Sequence, residues 1–71
     1  MNLHGRHPGT VGIVKFFAYD DYLPEHLQAI SRPCRDLAEA MVRELPDGPE
    51  LTAGLRKLLE AKDCFVRANL T

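Results

Sequence analysis

A chain of 71 residues with nine Lys or Arg against ten Asp or Glu carries a net charge of −1, which excludes the broad basic field of a general DNA binder and leaves any anion recognition to local groups. No apolar run approaches the ~20 residues of a membrane span and the first residues lack a charged-then-apolar leader pattern, so the expectation is a soluble cytoplasmic protein without membrane contact. So short a chain builds one domain at most, and seldom stabilises a core alone without disulfides, a metal or self-association.

Residues 1–12, MNLHGRHPGTVG, contain four glycines or prolines and no helical period. His4 and His7 could hold a metal, but Gly5 and Pro8 leave no rigid element to fix the geometry. The segment reads as a flexible tail with no metal site and no function.

Residues 13–22, IVKFFAYDDY, gather Phe16, Phe17, Tyr19 and Tyr22. They read as a strap whose rings pin the N-terminal segment to the helices. The phenylalanines are assigned to the core. Tyr19 and Tyr22 remain open between packing and presenting a ring to a planar ligand, where stacking on a nucleobase is worth ~1–3 kcal/mol.

Asp20 or Asp21 then caps a helix with Pro24 in its first turn. Leu23, Leu27, Ile30, Cys34, Leu37, Met41 and Leu45 recur three and four apart, nearly a heptad seam, widened by Ala38 and Val42. Pro33 deletes a backbone hydrogen bond and meets the carbonyl of Ala29, so a kink or break is expected at residues 31–33. Arg43 suits the negative end of the helix dipole.

Leu45-Pro46-Asp47-Gly48 ends that helix and begins the next, which makes the two antiparallel neighbours. Asp47, three residues before Glu50 and with Pro49 in the first turn, reads as a capping-box start. Residues 49–70 then carry Leu51, Leu55, Leu58, Leu59, Phe65 and Val66 at helical spacing. Arg56, Lys57, Glu60, Lys62, Asp63 and Arg67 form a solvated face, on which Glu60 and Asp63 can pair with Arg56, Lys57 or Arg67.

The chain therefore reads as all-α: a flexible tail at residues 1–12, then an antiparallel helical hairpin domain at residues 13–71 with a short aromatic strap. Leu37 faces Leu58 or Leu59, and Ile30 lies near Phe65. One apolar stripe of the last helix, Leu55, Leu59, Val66 and Leu70, can serve the hairpin. A second, Leu51, Leu58 and Phe65 with Gly54, Ala61 and Ala68, needs a partner, which points to a homo-oligomeric bundle. Cys34 and Cys64 lie inside the helical patterns and read as free, partly buried thiols. No metal spacing, phosphate loop or paired nucleophile and base occurs, which disfavours an enzyme.

Two basic groups stand out. Arg32 and Arg35 flank Pro33 and share a face if the helix continues, where their planar forks could converge on a phosphate. They could equally pair with Asp36 and Glu39 on a wet surface. The other group is Arg56-Lys57 in the last helix.

The order of parts, an aromatic residue and leucine-led helix start (YDDYLPEHL, residues 19–27), a basic residue midway (Arg35), a short turn, then a helix carrying LRKLLEAKDCFVRA, resembles the phage-encoded helical-hairpin sponges. These sequester the cyclic oligonucleotides of bacterial CBASS defence, and the related sponge against the Thoeris signal shares the hairpin. The likeness covers residues 16–70. It implies a compact homo-oligomer, commonly a hexamer, in the host bacterial cytoplasm. It also implies pockets between protomers that hold cyclic dinucleotides, and in some members separate sites for cyclic trinucleotides. The stacking aromatic would fall on Tyr19, or Tyr22 if the register shifts. The phosphate-binding basic residue would fall on Arg35, where the family often has lysine, and the arginine of trinucleotide sites on Arg56. Pro33 departs from the smooth helix of the family and bears on the position of Arg35. The competing reading is a small homo-oligomeric protein-interaction or regulatory module, which explains the leucines equally well and leaves Tyr19, Arg35 and Arg56 as surface residues.

Overall fold

The computed structural model describes residues 8–18 and 22–70. The chain is all-α, and its described residues form three helices and no strand: α1 (Pro8–Ala18), α2 (Glu25–Glu44) and α3 (Pro49–Ala68). None of these is long and apolar enough to cross a membrane.

α2 and α3 form the antiparallel pair that the short turn dictates. Near the turn, Leu45 lies by Leu51 on a common groove, and farther along it Leu37 lies by Leu58. At the distant end, the Asn69 side-chain amide donates to the His26 carbonyl at 3.1 Å, tying the close of α3 to the opening of α2.

Residues 8–12, expected in the flexible tail, instead begin helix α1. Pro8 opens the helix, where a missing N–H costs nothing. Thr10, Ile13, Val14 and Phe17 then fall on one face and are buried. Gly9 and Gly12 lower the intrinsic propensity, and packing of that face overrides it. α1 runs alongside α3 in the same direction: Thr10 Oγ1 lies 3.4 Å from Thr52 Oγ1, and the Phe17 ring lies beneath the Lys62 ammonium. The core joins Ile13, Val14 and Phe17 to Ala38, Val42, Leu51 and Leu55. The architecture is thus a hairpin with a third helix laid along one side. Of the two phenylalanines assigned to the core, Phe17 is fully buried but Phe16 stays 55% exposed, because it points around α1 away from the packed face.

Both helix starts differ from their expected caps. Pro24, not an aspartate, occupies the cap position of α2, and Gly48, not Asp47, that of α3; neither start has a side-chain cap bond. Asp20 and Asp21 lie outside the described residues. At α3 the Gly48 carbonyl accepts from the Thr52 N–H (3.2 Å) and from its hydroxyl (3.3 Å). That one carbonyl thus serves the backbone ladder and a side chain together.

Of the kink or break expected at residues 31–33, there is no break: α2 is continuous through Pro33. Carbonyls near the proline receive side-chain donors, Ser31 Oγ to the Gln28 oxygen at 3.4 Å and Cys34 Sγ to the Ile30 oxygen at 3.7 Å. Such local bonds supplement the ladder where proline removes a donor.

Phe17→Ala should lower the unfolding free energy by about 3–5 kcal/mol, the usual cost of emptying a fully buried aromatic site. Urea unfolding followed by circular dichroism measures it, and a loss below ~1 kcal/mol would mean that α1 is not docked.

Candidate functional site

The continuity of α2 decides how its arginines are disposed. Arg32 and Arg35 sit three residues apart on an unbroken helix and so share a face. Arg32 is exposed and its guanidinium donates to the Gln28 side-chain oxygen, while the Gln28 amide donates to the Leu23 carbonyl at 2.7 Å. Arg32 is thereby held toward the start of α2. Arg35 is half-buried, closer to the packed face.

Tyr22 stands 88% exposed just before α2. Tyr19 lies outside the described residues. On α3, Arg56 lines an open cleft of about 380 Å³ together with Gly48, Pro49, Thr52 and Ala53. Lys57 is exposed as well, but one residue on is ~100° further around the helix, so the adjacent pair does not act as one patch. Tyr22 and Arg56 are separated by roughly 20–25 Å along the bundle at 1.5 Å per residue. A single protomer therefore sets Arg32 and Arg35 on one face of α2 and leaves Tyr22 and Arg56 far apart from each other.

The last helix departs from its expected solvated face at Lys62, which is only 7% exposed. Its stem lies in the core, its ammonium sits 5.7 Å from the centre of the Phe17 ring, and Asp63 Oδ1 lies 3.2 Å away. A cation over a ring face is favourable by about 0.5–2 kcal/mol, the larger value applying where water is excluded. Arg67, expected to pair with an acidic neighbour, instead donates to Cys64 Sγ at 3.3 Å. Arg43 pairs with its exposed neighbour Glu44 at 3.4 Å, a contact of small energetic weight in water. Both thiols are free, Cys34 half-buried and Cys64 exposed rather than partly buried. Among the described residues no cluster of three or more His, Cys, Asp or Glu is placed to hold a metal.

A second concave feature lies between α2 and α3. It is an apolar groove of about 240 Å³ walled by Leu37 and Met41 on α2, Leu45 at the turn, and Gly54 and Leu58 on α3, with Leu51 and Leu55 beneath and Glu50 at its edge. Thr52 and Gly54 are ~200° apart around α3. Thr52 meets α1, so the groove opens on the opposite side of the hairpin. Leu37 (47%), Leu45 (44%) and Phe65 (56%) remain exposed on α2, the turn and α3. Ile30 and Phe65, expected as neighbours, do not bury that ring.

Comparison with known proteins adds no assignment: the chain matches no protein-family model, no curated protein and no solved structure.

Two substitutions test these placements. Lys62→Met, which keeps the stem volume and removes the buried ammonium, should change stability by no more than about 1 kcal/mol or raise it, whereas Lys62→Asp should cost at least ~2 kcal/mol by placing a second carboxylate beside Asp63. Equal losses in the two variants, measured by urea unfolding, would place Lys62 in solvent. Pro33→Ala restores a helix donor at an exposed position and should stabilise by about 1–3 kcal/mol in thermal unfolding; destabilisation would show that α2 needs the proline's bend.

Proposed function

We propose that this protein is a non-catalytic, phage-encoded sponge that binds and sequesters cyclic di- or trinucleotide messengers, acting as a homo-oligomer in the bacterial host and blocking CBASS-type signalling. The observation that carries the reading is the continuity of α2 through Pro33, which sets Arg32 and the half-buried Arg35 on one face. Two planar guanidinium groups so disposed suit bidentate recognition of phosphate. The resemblance in the order of parts supplies the ligand class, with Tyr19 or Tyr22 as stacking aromatic and Arg56 and Lys57 as further basic residues on different sides of α3.

The mechanism is mass action. A sponge holds the messenger intact and lowers its free concentration below the threshold of the effector, so affinity and copy number set the outcome. Base stacking of ~1–3 kcal/mol together with charge-assisted bonds to phosphate would supply much of the affinity. The separation of Tyr22 and Arg56 within one protomer favours pockets to which several copies contribute.

A second reading has its own observation. The apolar groove between α2 and α3 suits a helical protein-interaction or regulatory module that exploits leucines rather than arginines.

The discriminating experiment incubates the purified protein with a panel of cyclic di- and trinucleotides, filters it, heat-denatures the retained fraction and chromatographs what is released. The sponge reading expects an intact nucleotide depleted from the filtrate. A cleaved product would identify an enzyme, and no depletion would favour the interaction module. Arg35→Ala and Tyr19→Ala should each lower retention at least tenfold while leaving the circular dichroism spectrum and oligomeric state unchanged; full retention by both would remove these residues from the site.

A further inference from the structure

Among the described residues, the groove opposite α1 is an apolar concavity bordered by exposed leucines. Leu37 and Met41 lie four residues apart on α2, with Leu45 just beyond its end, and Gly54 and Leu58 lie four apart on α3, so the walls are two facing apolar stripes. Gly54 is exposed, and a methyl group added there would meet nothing within 4 Å. The backbone of α3 is therefore approachable at this point from outside.

The charges beside the groove are arranged about the same glycine. Glu50 lies about one turn before Gly54 and Lys57 about one turn after it. Both are exposed. Helical periodicity places the two on nearly the same edge of α3, seven residues apart. If two copies of α3 cross antiparallel near Gly54, a two-fold axis carries Glu50 of each onto Lys57 of the other, and both ion pairs form at once. Self-complementarity of this kind is what a two-fold interface requires, since each patch must match its own rotated image.

From these observations we infer that the α2–α3 groove is a two-fold interface with a second copy of this chain, in which the α3 helices cross antiparallel at Gly54, each copy's exposed leucines cover the other's groove, and Glu50 meets Lys57 across the axis. This names the contact surface for the self-association in the proposed function, and it stands on the groove rather than on any nucleotide. α1 lies on the far side of the hairpin, so the dimer leaves it undisturbed. The outer cleft beside Arg56 also remains outside the crossing point.

The test is sedimentation equilibrium of the full chain over a wide concentration range, with circular dichroism as the folding control. Wild-type protein is expected to self-associate. Gly54→Leu adds bulk at the crossing point, where a Cβ meets nothing within 4 Å, and improves helix propensity; it should remain folded and associate at least tenfold more weakly. Glu50→Lys should weaken association several-fold, and Glu50→Lys combined with Lys57→Glu should recover most of it. A wild-type chain that stays monomeric throughout would overturn the interface, the groove then being the seat of a different protein. Wild-type association unaffected by Gly54→Leu would overturn this face while leaving self-association in place. Failure of nucleotide retention in a protein that associates as described would defeat the sponge reading alone.

Discussion

Two twenty-residue helices joined by a four-residue turn present more apolar surface than the single seam between them can cover, and the rest of the structure follows from that excess. α1 resolves one side of it. Phe17 is buried without residual exposure among α1, α2 and α3 residues, and Thr10 meets Thr52 near the other end of the same contact. The opposite side retains exposed Leu37 and Leu45 beside Gly54. The hairpin is thus covered on one flank by its own chain and open on the other.

Lys62 shows how a charged residue can belong to such a core. Its methylene stem fills apolar space, and the ammonium finds the negative face of the Phe17 ring and the Asp63 carboxylate at the boundary. Ion pairs elsewhere matter little to the fold. Arg43 and Glu44 are both well exposed, and the outward residues of α3 form a wet face whose pair energies are small beside the burial of a single aromatic ring. Stability resides in the three-helix contact.

The disposition of the arginines of α2 and α3 bears on the proposed function. Arg32 and Arg35 share a face because α2 is continuous, but Tyr22 and Arg56 are too far apart along the bundle to grip one small ligand together. A pocket using all of them needs residues from neighbouring copies. The apolar flank with Leu37 and Leu45 exposed is a separate feature of the hairpin.

Local sequence alone determined the two long helices, their boundaries within a residue or two, and their antiparallel pairing, because apolar residues at helical spacing on either side of a proline-and-glycine turn admit few alternatives. The second leucine stripe of α3, expected to need a partner, is only partly left over: Leu51 is buried in the core and Leu58 packs against it, while Phe65 stays exposed. Tertiary contact decided the remainder. Residues 8–12 are poor helix formers by composition, and become helical because Thr10, Ile13, Val14 and Phe17 gain a surface to pack on. Lys62 looked solvated by residue type, although its position seven after Leu55 placed it on the core stripe; only the arrival of Phe17 made that position dry. Pro33 suggested a broken helix from local stereochemistry, whereas packing of Ser31 and Ala38 on the same face holds α2 together through it. Periodicity records which face a helix will bury, while the partner that covers it is set by contacts between segments far apart in the chain.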